Sequence, residues 1–200
     1  MMKVLLVGAS GTIGKAIIAE LGQQHEIITA GKSSGQHNVD LTSVQSVENL
    51  FNQVGKVDAI IAAAGNVHWG SFKDMTADEF KIGINEKLLG QVNLTLVGQK
   101  FLNEGGSITL TSGSLSHDPH RGGASFTTVN SSVDGFIRGV SVELEGGRRI
   151  NSVSPNVLEE SWHLYGLGVP GTTPVPAALV AKAYRKSVEG HQTGQTYQVW

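Results

Sequence analysis

The chain has 200 residues, of which 40% are hydrophobic and 16% charged, so it is long enough for one domain with a full hydrophobic core. Its formal net charge is −2 at pH 7, and it has no basic tract or acidic tail, which argues against nucleic-acid and membrane-surface partners. The absence of cysteine excludes disulfides and cysteine-based metal or nucleophile chemistry.

The amino-terminal sequence MMKVLLVGAS carries one lysine and an apolar run that is too short for a signal peptide. No apolar segment of the chain is long enough to span a bilayer. We therefore expect one cytoplasmic domain over residues 1–200, with no metal site and no membrane partner.

Short apolar runs alternate with helical patterns along the whole chain. The predicted strands are Lys3 to Gly8, Glu26 to Gly31, His37 to Leu41, Val57 to Gly65, Gly106 to Ser112, Arg149 to Pro155 and Gln195 to Trp200. The predicted helices are Ile13 to Leu21, Val44 to Val54, Ala77 to Phe101 with a break, Phe126 to Leu144 and Pro176 to Ser187. Continuous apolar strands joined by helices indicate a parallel sheet covered on both faces, which is a doubly wound α/β fold.

Two of these helices carry start signals in the sequence. Thr42 with Gln45, and Thr76 with Glu79, have the spacing of a capping box. In such a box the hydroxyl and the returning side chain satisfy backbone N–H groups that have no partner within the helix.

A glycine-rich turn, GASGTIG, follows the first predicted strand and opens the first helix. Glycines at these positions permit a tight turn, close approach of backbone N–H groups to a pyrophosphate, and close packing of helix on sheet. The residues predicted to contact a dinucleotide here are Gly8, Ser10, Gly11, Thr12, Ile13 and Gly14. A merely structural turn is the alternative interpretation.

The second predicted strand ends without an acidic residue that could bind a ribose hydroxyl. The chain continues as Gly31-Lys32-Ser33-Ser34, in which a cation and two hydroxyls suit a ribose 2′-phosphate. Lys32 and Ser33 are therefore predicted cofactor contacts, and NADP(H) is favoured over NAD(H). A solvated lysine in a turn is the alternative.

The sequence resembles the short-chain dehydrogenase/reductase family over nearly its whole length. Besides the glycine-rich turn, the motifs similar to that family are Asp40-Leu41-Thr42, Ala62-Ala63-Ala64-Gly65, Asn85 in INEKLLGQVNL, and RINSVSPN from Arg149 to Asn156. The resemblance implies a single-domain Rossmann fold with a seven-stranded parallel sheet in the order 3-2-1-4-5-6-7 and helices on both faces. It also implies cofactor contacts at Asp40, Leu41, Ala63, Ala64, Gly65, Asn130 and Pro155, and a homodimer or homotetramer.

The resemblance places Phe126 where the family has its catalytic tyrosine, Asn130 at its lysine and Gly113 at its serine, so only Asn85 of the four catalytic residues is present. Phenylalanine has no proton to donate to an alkoxide, and asparagine carries no charge that could lower the pKa of a neighbour. An atypical active site follows. Loss of acid catalysis alone costs about 10²- to 10⁴-fold in rate.

Other side chains offer partial replacements. Ser112 and Ser114 flank Gly113 and are predicted to orient a carbonyl oxygen or merely to cap a turn. His117 and His120, in the loop after the fifth strand, are candidate acids or solvated loop residues. Tyr184 on the last helix is predicted to pack in the core. The candidate catalytic residues are thus Asn85, Ser112, Ser114 and His117.

Two functions remain open at this point. The first is an NADP(H)-dependent oxidoreductase of a carbonyl or alcohol compound that uses a proton donor other than tyrosine. The second is a non-catalytic NADP(H)-binding sensor or assembly protein, because fold alone does not decide function. The segment ESWHLYG, with Trp162, His163 and Tyr165, either lines a substrate pocket or covers the cofactor.

Overall fold

The computed structural model describes residues 1–200. Seven strands form one parallel sheet: β1 Lys3–Val7, β2 Glu26–Gly31, β3 His37–Asn38, β4 Val57–Ala62, β5 Leu102–Thr111, β6 Arg149–Pro155 and β7 Thr196–Val199. Their order is β3-β2-β1-β4-β5-β6-β7, which confirms the predicted topology. The helices are α1 Thr12–Leu21, α2 Val44–Val54, α3 Ala77–Gly83, α4 Gly90–Gly98, α5 Ala124–Ser141, α6 Trp162–Tyr165 and α7 Ala177–Glu189.

The sheet buries both of its faces, as the continuous apolar strands predict. On β1, Leu5 belongs to a core cluster that includes residues of α2, α4 and α5, whereas the next residue, Leu6, belongs to a second cluster with residues of α1 and α7. Successive side chains of a strand point to opposite faces, so this alternation means that helices cover the sheet on both sides. The carboxyl ends of the strands are left open at one edge.

The long predicted helix from Ala77 to Phe101 is divided into three parts. Between α3 and α4 the segment Ile84–Leu89 is π-helical, and the N–H of Gly90 bonds to the carbonyl oxygen of Asn85, five residues earlier. The chain then enters β5 at Leu102, four residues before the predicted start. Such wide helical turns often occur at functional sites.

One predicted cap is confirmed and the other is wrong. The Thr76 hydroxyl accepts from the backbone N–H of Glu79, whose carboxylate accepts from the N–H of Thr76. At α2 the capping residue is Ser43, whose hydroxyl accepts from the N–H of Ser46, because the Thr42 hydroxyl is bonded to Asp40 instead. None of the helices is both long and apolar enough to cross a membrane.

Replacing the observed cap, Ser43→Ala, is expected to lower the free energy of unfolding by about 1 kcal/mol, because one N–H of the first turn of α2 loses its acceptor. Gln45→Ala removes the partner that the sequence suggested and should change stability little. Urea unfolding of both variants compares the two positions. Equal destabilisation by both variants would contradict the assignment of Ser43 as the cap.

Candidate active site

Two neighbouring cavities lie at the carboxyl edge of the sheet and meet at Ala64 and Gly65. The first, called here the Lys32 cavity, has a volume of about 420 Å³. The second, the Lys87 cavity, has a volume of about 280 Å³, and half of its lining residues are hydrophobic. Ligands of open α/β sheets bind at this edge.

The glycine-rich turn lies between the two cavities, since Ser10 lines the first and Ile13 the second. A Cβ on Gly8 would overlap the carbonyl oxygen of Ala63, and one on Gly14 would overlap that of Gly8, so glycine is required at both positions by the protein itself. At Gly11 the nearest atom to such a Cβ is 3.5 Å away. The chain therefore does not require glycine at position 11, and the exposed position is open to a ligand.

The Lys32 cavity brings together most of the residues predicted for the adenosine half of a dinucleotide. These are Gly8, Ser10, Lys32, Ser33, Asp40, Leu41, Ala64 and Gly65. Lys32 Nζ lies 3.7 Å from the Asp40 carboxylate and its side chain is 75% exposed. The Thr42 hydroxyl and N–H, and more weakly the charge of Lys32, hold the pKa of Asp40 below its usual value.

The Lys87 cavity brings together the candidate residues at the other end. Those that line it are Ile13, Ala63, Ala64, Gly65, Ser112, Ser114, Phe126, Asn130 and Pro155. One wall is aromatic, because Trp69 packs edge to face on Phe126, with ring centres 5.7 Å apart, and lies 6.4 Å from Tyr165. Phe126 and Asn130 both line this cavity from successive turns of α5.

A buried lysine lies at the base of this cavity. Lys87, from the π-helical segment, is 8% exposed and donates hydrogen bonds to the carbonyl oxygen of Ser112 (3.0 Å) and to Oδ1 of Asn130 (2.8 Å). Burial lowers the pKa of Lys87 to about 8, and the charge of Asp134 opposes this shift. Two neutral acceptors thus bind a mostly buried cation at the cavity wall.

The Lys87 contact also fixes the orientation of Asn130. Because Oδ1 accepts from the ammonium, the amide nitrogen Nδ2 is on the side of Gly113, where an added Cβ would lie 2.8 Å from it. A serine at position 113, where the family resemblance expects one, would therefore require Asn130 to move. The neighbouring Ser112 hydroxyl is buried and has no hydrogen-bond partner.

Two predicted catalytic residues lie elsewhere. Asn85 is exposed and does not line the Lys87 cavity, and its carbonyl oxygen is bonded to the N–H of Gly90. Lys87, two residues later in the same π-helical segment, lines the cavity instead. His117 is also exposed, outside the cavity, with its ring centre 5.4 Å from that of Trp200. The structure therefore does not bring these two side chains to the Lys87 cavity, and their catalytic role stays a prediction.

The remaining polar candidates have structural partners. The Ser114 hydroxyl donates to Oδ1 of Asn156, which also accepts from the N–H of Val157. His120 lies 3.2 Å from the Thr172 hydroxyl and outside the Lys87 cavity. Tyr184 is fully buried, as predicted, and shares a hydrogen bond with Thr111.

Sequence reasoning missed Lys87 and Trp69. A signal for Lys87 was present, because Gly83, Lys87, Gly90 and Leu94 recur at helical spacing and all four are buried. A lysine on such a stripe is either paired or functional. Trp69 follows β4 in an irregular segment, where no periodicity indicates its direction.

Comparison with known protein families gives a match over most of the chain. A family model described as enoyl-(acyl carrier protein) reductase matches residues 10–183. Versicolorin reductase stcU from Emericella nidulans is 27% identical over 188 residues, which cover 80% of this chain and 70% of that protein. Short chain dehydrogenase/reductase nsrJ from Aspergillus novofumigatus is 29% identical over 182 residues, covering 76% and 68%.

Solved structures give the same result for the fold. The crystal structure of the protein lin1944 from Listeria innocua matches with a TM-score of 0.98 and 46% identity over the full length of both chains. A small-chain dehydrogenase in complex with NADPH matches with a TM-score of 0.87 and 23% identity, over 98% of this chain and 95% of that one. At this lower identity the likeness concerns the fold alone.

The buried hydrogen bond between Lys87 and Asn130 can be tested by placing a charge at position 130. Asn130→Lys removes an acceptor from Lys87 and adds a second buried ammonium, so it should lower the free energy of unfolding by roughly 3 kcal/mol or more at pH 7. Adding Lys87→Asn to the same chain exchanges the two side chains and should restore most of the loss. Urea unfolding of the two single variants and the double variant measures this coupling. Additive losses would show that the two side chains do not interact as described.

Proposed function

This chain belongs to the short-chain dehydrogenase/reductase family of oxidoreductases, and we propose that it uses NADP(H) to interconvert a carbonyl compound and its alcohol. The observation that carries the proposal is the pair of cavities that meet at Ala64 and Gly65, with the glycine-rich turn between them. A dinucleotide needs such a divided crevice, because its two halves are recognised by different chemistry.

The Lys32 cavity supports binding of the adenosine half and a preference for NADP(H). Lys32 and the hydroxyls of Ser10, Ser33 and Ser34 offer donors to a 2′-phosphate, and no carboxylate follows β2 directly. Asp40 accepts from Thr42 and lies near Lys32, where it holds the lysine at the cavity. The exposed amino terminus of α1 at Gly11 and Thr12 suits the pyrophosphate.

The Lys87 cavity supports binding of the nicotinamide half and the substrate. Ile13 and Pro155 supply apolar contacts, while Asn130 and the unpartnered hydroxyl of Ser112 supply polar ones. A bound nicotinamide would supply the hydride. The aromatic wall of Trp69, Phe126 and Tyr165 suits an apolar substrate of modest size.

We further propose that Phe126 and Asn130 take the positions of the family's tyrosine and lysine. They lie four residues apart on α5 and both line the Lys87 cavity. Phe126 contributes a ring to the wall and no proton, so the proton for the alkoxide comes from another group.

The protein is also proposed to act as a homodimer or homotetramer in the cytoplasm. Leu96 on α4 is 52% exposed and Val142, just after α5, is 84% exposed. A Cβ on Gly139 would meet no atom within 4 Å, so this part of α5 allows close approach of another helix. The lack of cysteine fits a reducing compartment.

NADPH should bind the purified protein with micromolar affinity and be oxidised in the presence of a panel of apolar aldehydes and ketones. Binding is measured by fluorescence transfer from tryptophan to NADPH, and turnover by absorbance and product mass. Gly11→Val is the control, because its side chain has room in the folded protein but would obstruct a pyrophosphate. It should weaken NADPH binding by about tenfold or more, roughly 1.4 kcal/mol.

Absence of NADPH binding by the natural chain would refute the proposal. Binding without turnover on any compound of the panel would support the non-catalytic cofactor-binding function instead. Equal binding by Gly11→Val would place the dinucleotide away from the glycine-rich turn.

The cofactor preference is tested at Lys32. Lys32→Ala should raise the Kd for NADPH about tenfold and leave the Kd for NADH unchanged, because only NADPH carries the 2′-phosphate. Lys56→Ala, also an exposed lysine but remote from both cavities, is the matched control. A parallel change in both affinities would contradict a 2′-phosphate site at Lys32.

A further inference from the structure

The proposed function assigns no role to one polar group of the cavity, the ammonium of Lys87. An ammonium has three N–H donors, and Lys87 places two of them on Ser112 and Asn130. Lys87 itself lines the cavity, beneath Gly65, where a Cβ would lie 2.8 Å from the Lys87 backbone and Cβ. The third donor has no acceptor within the protein.

The other groups at this cavity are poorer sources of a proton. Phe126 has none, and the amide of Asn130 and the hydroxyl of Ser112 are too weakly acidic to protonate an alkoxide unless another group resupplies the proton. Tyr165 is 40% exposed on the outer wall and has no lysine or other cation bonded to it. Lys87 is the one ionised donor among the residues that line the cavity.

We propose that Lys87 is the proton donor for carbonyl reduction in this protein. This inference rests on the proposed function. As hydride from NADPH adds to the carbonyl carbon, the C=O π bond breaks and its electron pair moves to oxygen. An N–H bond of the Lys87 ammonium then breaks and an O–H bond forms, which leaves an alcohol, NADP⁺ and a neutral amine. The amine regains a proton from water through the open cavity.

The surroundings of Lys87 suit this role. Its two neutral acceptors hold Nζ in place without neutralising its charge. Burial lowers its pKa to about 8, so the group is still mostly protonated at pH 7 and is a stronger acid than an exposed lysine. Asp134 on α5 is the charged group whose field acts on it, and it opposes part of the shift.

Other titratable groups near these elements are engaged elsewhere. Glu86, the neighbour of Lys87, accepts from Asn66 and lines the Lys32 cavity. Tyr184, on α7, is buried, and burial raises its pKa, so it stays neutral. A fall in activity near pH 8 would therefore report Lys87.

The alternative is a purely structural lysine that ties the π-helical segment to β5 and α5. Lys87→Met separates the two roles, because methionine fills a similar volume and carries no charge. Lys81→Met, an exposed lysine on the preceding helix, is the matched control. If Lys87→Met does not fold, Lys87→Gln is used in its place, because glutamine keeps a donor for the carbonyl oxygen of Ser112.

Lys87→Met should lower kcat for carbonyl reduction by about 10²- to 10⁴-fold and change the Kd for NADPH by less than about threefold. The natural chain should lose activity as pH rises above about 8, because the acid form is then lost. The residual activity of the variant should lack this fall, and Lys81→Met should match the natural chain.

A second measurement does not depend on turnover. Reductive methylation with formaldehyde and cyanoborohydride, mapped by mass spectrometry at pH 8, should modify Lys87, and NADP⁺ with an alcohol product should slow this modification. The exposed Lys81 should be methylated to the same extent in both samples, which shows that the reagent acted equally in each. Lys87 that stays unmodified while Lys81 reacts would mean that the amine does not face the cavity, and would overturn the inference.

The remaining outcomes are equally distinct. Unchanged kcat in Lys87→Met, or a loss confined to Tyr165→Phe, would assign the proton to another group and also overturn the inference. Failure of the natural chain to bind NADPH would instead remove the proposed function and this inference together.

Discussion

The contact of the Lys87 ammonium with Asn130 and Ser112 is the constraint on which the site depends. A charge that is 8% exposed needs acceptors with good geometry, since an unpaired buried charge is expensive. Its two acceptors come from the end of β5 and from α5, and the lysine itself from the π-helical segment. The three elements are therefore held together where the Lys87 cavity forms, and the amide of Asn130 has one orientation.

The position of that cavity follows from the burial of both sheet faces. Helices cover both faces, so the two cavities lie at the edge formed by the carboxyl ends of the strands, where Gly8 lets β1 turn away while Ala63 approaches it closely. Close packing of Gly14 against Gly8 then brings the start of α1 to the same edge. The crevice is thus a product of the packing of two strands and one helix, before any side chain contributes chemistry.

Much of this architecture was predictable, because the strands and helices depend on apolar patterns that many residues share, and the strand order was expected from the family resemblance. The details that failed depend on single residues. The helix cap of α2 is Ser43 and not the predicted Thr42, because the Thr42 hydroxyl is bonded to Asp40. Within the π-helical segment, Lys87 lines the cavity and the predicted Asn85 does not, and no local pattern of residue types indicates that segment.

Stability alone is a poor explanation for Lys87. Burial of an ammonium costs several kcal/mol before hydrogen bonds return part of it, and apolar replacements of buried charges are often neutral or stabilising. The lowered pKa of Lys87 reflects the same desolvation cost, because the folded protein disfavours the charged form of the side chain. The charge of Asp134, whose carboxylate accepts from the hydroxyls of Ser152 and Thr196, offsets part of this cost. If position 87 served only to join the three elements, methionine or leucine would do so without the desolvation cost of a buried charge. The buried ammonium is therefore better explained by a role in which its remaining N–H binds a ligand.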